Sequence, residues 1–229
     1  LLLDECQQVG VEVLTHCDVS KVSSSTASDG YDITFRRADA ELTYHCDSLV
    51  VATGALSIPT LGGSDFGYQI ASQFSLDLID RRAGLVPLMF NDATKSMCER
   101  LSGLALEVEA SCNGQAFVEN MLFTHRGLSG PSILQISNYW HPGEVVVVNL
   151  LPDTDASQWL LTAKTSQPAT HLKTLLGHAL AKSLVNELMR LFWPELDGKR
   201  LDNIADAQLR RVAEQLQHWP MKPTASEGY

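Results

Sequence analysis

No stretch of this 229-residue chain approaches the ~20 consecutive apolar residues that a membrane-spanning helix needs, so no membrane partner is expected. The opening Leu1–Leu3 lacks the basic flank and the length of a secretory signal. Cysteine is sparse and odd in number, five in all with no C-x-x-C, which fits reduced thiols in a cytoplasm better than a disulfide framework. Positive charge is also scarce. The chain has 17 Lys and Arg against 27 Asp and Glu, a formal net charge of −10, which argues against nonspecific binding to nucleic acid or anionic lipid. No nucleic-acid partner is therefore expected, and the substrate is read as a small molecule. No G-x-G-x-x-G occurs, so no pyrophosphate-binding turn is recognisable. Internal repeats and low-complexity runs are missing too, apart from Ser23–Ser25.

What is present is ordinary globular material, 45% hydrophobic and 19% charged, enough to bury a core and too apolar for disorder. The stretch that organises it is Cys46-Asp-Ser-Leu-Val-Val-Ala-Thr-Gly54. Leu49–Ala52 is a short unbroken apolar run, the pattern of a strand buried on both faces in a parallel sheet. It stops at Thr53-Gly54, where the chain must turn and backbone can approach a ligand; such sheets bind ligands at the carboxyl ends of their strands. The glycine-rich run that follows, as far as Tyr68, reads as a loop of tight geometry.

Before it, Leu1–Gln8 reads as the last turns of a helix stopped by Gly10, and Val11–Leu14 as a second parallel strand. Asp18–Ser23, Tyr31–Arg36 and Leu42–Cys46 form three short β-rich runs, an antiparallel meander between the two parallel strands. The pairs His16-Cys17 and His45-Cys46 suggest a metal, but adjacent strand residues point to opposite faces, so no metal site is assigned. Phe66–Phe74 reads as a short helix.

Further along, Leu85–Phe90, Leu104–Ala110, Ala116–Leu122 and Glu144–Leu150 are candidate strands of a small barrel or sandwich. Among them lies Phe123-Thr-His-Arg-Gly-Leu-Ser-Gly-Pro131. Ser129 is not a hydrolase nucleophile, because Pro131 stands where the elbow needs a glycine. Pro131 suits a first helical position, with Ser129 or Gly130 as the cap. Two readings stay open: a cap serving only its helix, or an anion-receptive helix start strengthened by His125 and Arg126. From Asp153 to Pro220 the pattern is helical, over Ala156–Lys164, His171–Phe192 (interrupted near Gly177) and Asp206–Trp219. Met221–Tyr229 reads as a return towards the barrel.

Two blocks carry a resemblance: Val50-Val-Ala-Thr-Gly-Ala-Leu-Ser-Ile-Pro59 with Leu61-Gly-Gly-Ser-Asp-Phe-Gly-Tyr68, and Leu122–Ser137. Both are similar to segments of the YhiN-like flavoproteins, the BaiN-type NAD(P)/FAD-dependent oxidoreductases. The family usually has a second glycine where Ala55 stands, and ordinary torsions are expected there. The resemblance implies FAD as cofactor, NAD(P)H as a possible electron donor, and electron transfer between that donor and an unknown substrate. It places Val19 near the adenine and Ala52, Thr53 and Gly54 along the flavin nucleotide. It brings His125, Arg126, Gly127, Ser129 and Gly130 close to flavin or substrate. No catalytic acid or base is assigned.

The expected fold is α/β plus α+β. Residues 1–82 would form part of an FAD-binding domain with a parallel sheet and meander, 83–152 an inserted small β-barrel, 153–220 a helical subdomain and 221–229 the return. With no initiator Met and no pyrophosphate turn, the chain reads as an internal piece of a longer enzyme, inactive and without stoichiometric FAD by itself. A reading of another class is a non-catalytic module that docks a protein or, less readily, RNA.

Overall fold

The structure is a computed structural model and describes residues 1–26, 29–57, 60 and 62–228. It divides into two units, Leu1–Asp80 and Arg81–Gly228.

The first unit opens with helix α1, Leu2–Gln8. Gly10, at φ 75°, ends it as expected: its N–H bonds to the Gln7 carbonyl at 3.2 Å and that of Val11 to Cys6 at 2.9 Å, which satisfies two carbonyls of the last turn. The meander forms as β1 (Cys17–Ser24), β2 (Tyr31–Arg37) and β3 (Ala40–Cys46), paired in that order and antiparallel throughout. The register skips Ser20, a bulge between Val19 and Lys21 that increases the local twist. His45 faces Asp32 across the ladder and bonds its carboxylate at 3.0 Å, so this half of the His-Cys pattern serves the meander. Helix α2, Phe66–Gln73, is tied back to β1 by the Gln73 amide on the Val22 carbonyl.

One expectation is overturned here. Neither Val11–Leu14 nor Leu49–Ala52 is a strand, and every strand pairing among the described residues is antiparallel. The reason is physical. A buried parallel strand needs paired neighbours and covered faces, and the chain supplies these runs with neither. Val50 remains 85% exposed, and no residue of α1 is buried. Ala55 is not among the described non-glycine residues with positive φ, so its torsions are ordinary, as expected.

In the second unit, β4 (Leu88–Met89), β5 (Ala105–Cys112), β6 (Gln115–Phe123), β7 (Gly127–Ser129), β8 (Val146–Asn149), β9 (Trp219–Met221) and β10 (Ala225–Ser226) form one antiparallel sheet. Their order is β10-β4-β7-β6-β5-β8-β9. Its two edge strands are consecutive in the chain, joined by residues 222–224 alone. Four Cα steps reach at most ~14 Å, whereas six strand spacings in a flat sheet need ~29 Å. The sheet therefore rolls up, and the barrel-like reading is right for this part. The return segment closes it, with Thr224 and Glu227 donating to the carbonyls of Met89 and Pro87 at 2.9 Å each.

Helix α3 (Asp92–Arg100), unassigned in the sequence, buries Met97 and Cys98. Helix α4 (Pro131–Ile136) buries Ile133 and Ile136 in the roll. Helices α5 (Ala156–Ser166), α6 (Leu172–Leu176), α7 (Lys182–Phe192) and α8 (Asp206–Gln217) follow, and they share one continuous core with the sheet. Leu180, Leu184 and Leu188 form its inner stripe, while Leu191 lies at the rim, 36% exposed. Asp155 caps α5 by accepting from the Gln158 N–H at 2.9 Å. Lys164 joins α5 to α8 through Asp206, and Arg100 grips Glu187 on α7 with bonds of 2.8 and 3.0 Å. No helix among the described residues is long and apolar enough to cross a membrane.

Candidate functional site

The Val51–Gly54 segment lines a cavity of about 310 Å³ together with the start of α2; its described walls are Val51, Ala52, Thr53, Gly54, Gly67 and Tyr68. Three of the four residues assigned to the nucleotide from sequence thus come together. Val19 does not line the cavity; it sits on β1 opposite Phe35, beside the bulge. Gly67 and Tyr68 are wall residues that were not assigned a role, although they lie in the glycine-rich run. A Cβ on Gly67 would stand 3.0 Å from the Thr53 hydroxyl and 3.3 Å from Val51, so the missing side chain lets α2 pack against the segment. Gly54 has φ 75° and open space where its Cβ would be. No described wall residue is charged, and the volume is at the lower end of ligand pockets, roughly 300–1,000 Å³. Such a wall fits a neutral, flat part of a flavin nucleotide against bare backbone. It offers no cation for a pyrophosphate.

The second block is built differently. After β6 the chain turns at Thr124, whose hydroxyl accepts the N–H groups of Arg126 and Gly127 at 3.3 and 3.2 Å. The Thr124 N–H returns to the Gly127 carbonyl at 2.8 Å. This tight turn holds His125 and Arg126 out in solvent. Arg126 reaches Glu227 at 2.7 Å, so part of its charge is spent on the return segment. Gly127 is buried in the β4–β7 pairing, and Gly130, at φ 90°, leans on β6. A Cβ would meet the Leu88 carbonyl oxygen at 2.1 Å in the first case and that of Asn120 at 2.6 Å in the second. Both glycines are required by close backbone approach. Gly130 is indeed the residue before α4, with Pro131 in its first turn, but no side chain caps this helix of six residues. Ser129 closes β7 opposite Leu122.

The displaced pKa values lie elsewhere. Burial pushes the Cys98 thiol up to about 12. Glu187 is held low by Arg100, Asp206 by Lys164, and Glu144 by the His141 backbone N–H. These are structural pairs, and they mark no acid or base beside the candidate site. The described residues contain no group of three or more His, Cys, Asp or Glu able to hold a metal.

A second cavity, about 670 Å³, opens between α6 and α7. Its walls include Lys173, Thr174, His178, Lys182 and Asn186, and no acidic residue among the described ones.

A rolled sheet followed by a helical layer is the architecture of a known class: residues 82–229 match the HI0933-like protein barrel and H2TH domain. The chain belongs to the HI0933-like family. Over its whole length it is 40% identical to the ribosomal RNA dihydrouridine synthase of Escherichia coli (strain K12). It is 38% identical to the protein of the same name from Haemophilus influenzae (strain ATCC 51907 / DSM 11121 / KW20 / Rd). The chain spans 56% of the length of each of these relatives. Their names correct the expectation that no nucleic acid is involved and that the substrate is only a small molecule. The net charge of −10 misled for two reasons: it averages over a surface on which cations can still cluster, and it covers little more than half the length of those relatives.

Proposed function

We propose that this chain is the central part of a flavin-dependent enzyme that reduces uridine to dihydrouridine in ribosomal RNA. The observation that carries the reading is identity of 40% and 38%, across the entire chain, to two proteins named for that product. The uncharged cavity at Ala52–Gly54 supports it from the structural side. Ala52, Thr53 and Gly54 would hold a flavin there, and its reduced form would supply a hydride that, with one proton, converts the C5=C6 bond of uracil to a single bond. Ala52, Thr53 and Gly54 present backbone to the flavin nucleotide, with Gly67 and Tyr68 completing the wall. Val19 contributes backbone towards the adenine. NAD(P)H is the proposed electron donor to that flavin. His125 and Arg126 project into solvent from a hydrogen-bonded turn, where they are available to the RNA substrate; Gly127, Ser129 and Gly130 fix that turn to the barrel. An RNA substrate replaces the unknown small molecule of an oxidoreductase of the BaiN type.

The test uses the full-length protein. It is expected to purify with a flavin spectrum that bleaches with NADH or NADPH, and to raise the dihydrouridine content of ribosomal RNA from a deletion strain, read by nucleoside mass spectrometry. A full-length protein without flavin, or deletion without loss of dihydrouridine from ribosomal RNA, overturns the reading.

A further inference from the structure

We infer that the cavity between α6 and α7 is a subsite for the phosphate backbone of the RNA, remote in sequence from the Val51–Gly54 segment and separately built. The inference rests on the RNA reading above. Among the described residues, six of the 17 Lys and Arg stand in an ion pair with a carboxylate, so an unpaired cation counts only where several converge on one wall. Arg100, Arg126, Lys164, Arg190 and Arg200 all stand within 3 Å of a carboxylate. Lys173 and Lys182 have no carboxylate partner among the described residues, nor does His178. All three are exposed at the wall of the larger cavity, about 670 Å³.

The fold explains why these groups converge. Helix α6 ends at Leu176, and the chain turns through Gly177–Leu180 before α7 starts at Lys182, so the end of one helix faces the beginning of the next. Leu172, Leu175, Leu176, Leu180, Leu184 and Val185 are buried, which fixes both helices and leaves the polar positions of each pointing outward. No side chain caps α7, an 11-residue helix with Ala181 before it, so its first N–H groups add positive potential to that of the lysines.

The character of the wall selects the ligand. Among the described residues it has no aromatic ring on which a base would stack and no acidic residue to read an exocyclic amine. It has ammonium groups, a hydroxyl from Thr174 and an amide from Asn186, which suit phosphate and sugar oxygens. Contacts of that kind position RNA without reading its sequence. The subsite therefore contributes affinity and register, while discrimination belongs to the reacting end.

The experiment compares the full-length protein with its Lys173→Ala/Lys182→Ala and Lys173→Arg/Lys182→Arg variants. The probe is deproteinised ribosomal RNA, titrated at several salt concentrations, with melting temperature and flavin content measured alongside. Two lost phosphate contacts reduce the slope of log K against log salt by about 1.5 and weaken binding on the order of tenfold at ~0.15 M salt. The Ala variant is expected to show both changes with unchanged flavin content and melting temperature, and the Arg variant to restore binding. If wild type binds RNA and the Ala variant binds it equally, with an unchanged slope, the subsite is overturned and the RNA reading stands. Loss of affinity for NADPH with RNA binding intact overturns it in favour of a dinucleotide. Failure of the wild type to bind RNA overturns both.

Discussion

Gly127→Ala separates the structural from the ligand-binding role of the second sequence block. The added Cβ would stand 2.1 Å from the Leu88 carbonyl oxygen, 2.9 Å from the Phe90 ring and 3.1 Å from the Met89 Cα. The first distance is about 1 Å shorter than carbon and oxygen tolerate, and the obstacle is backbone, so no side-chain rotation relieves it. β4 and β7 must separate. That weakens the pairing of Leu88 with Leu128 and of Met89 with Gly127, and the Phe90 N–H bond to the Arg126 carbonyl at 3.2 Å. Two or three such bonds, at ~1 kcal/mol each, together with ~1–3 kcal/mol of overpacking, give a loss of roughly 3–6 kcal/mol. For a unit of this size each kcal/mol lowers the melting temperature by roughly 2–4 °C, so a fall on the order of 10 °C is expected. Gly54→Ala is the internal control. Its Cβ meets no atom within 4 Å and bears only the strain of φ 75°, about 1 kcal/mol. Thermal unfolding followed by circular dichroism decides the matter. A Gly127→Ala protein melting within ~2 °C of wild type refutes the claim that close strand approach demands this glycine.

Three further outcomes follow from the described geometry. The bonds from Arg100 hold Glu187 below its ordinary 4.5, so its stabilisation is present above that pH and is lost as pH falls through the lowered value. Glu187→Gln is expected to cost ~1 kcal/mol at neutral pH, Arg100 being half-exposed, and to make the loss of stability below pH 4.5 shallower; parallel acid-unfolding curves would contradict this. Cys98, buried with its thiol pushed up to about 12, should resist iodoacetamide in the native protein while the partly exposed Cys6, Cys17 and Cys46 react, as peptide mass spectrometry will read. Asp155→Ala removes the cap on the Gln158 N–H at 2.9 Å and should lower stability by ~1 kcal/mol in a urea titration.

Much of the second unit was legible because its signals are local. Leu106-Glu-Val-Glu-Ala110 alternates, and Val108 and Ala110 are both buried on β5. Asp155 before Ala156 is a cap followed by helical spacing, and α5 begins there. Other features depend on what a segment packs against. Leu49–Ala52 has the composition of a buried strand, yet no described residue pairs with it as a strand. Helix α3 escaped notice because Met97 and Cys98 give too short an apolar stripe in a polar sequence. Of the site, Ala52–Gly54 was marked by its strand-end pattern. The cavity at Lys173 and Lys182 was not, since helical periodicity reports the buried face and is silent about which exposed cations lack a partner.

The roll closed by its own return segment sets a condition on biosynthesis. The Met89 carbonyl awaits Thr224, 135 residues later in the chain. At roughly 5–20 residues per second of synthesis, β4 stays an open edge for on the order of ten seconds, and an open edge invites pairing with other chains. Most of the sheet and its helices can pack in that interval, but the last pairing is the one of longest range and comes last. Slowed synthesis after the stretch encoding β8 would therefore prolong the exposed edge. Aggregation during production should then respond to the translation rate of this region more than to the stability of the finished fold.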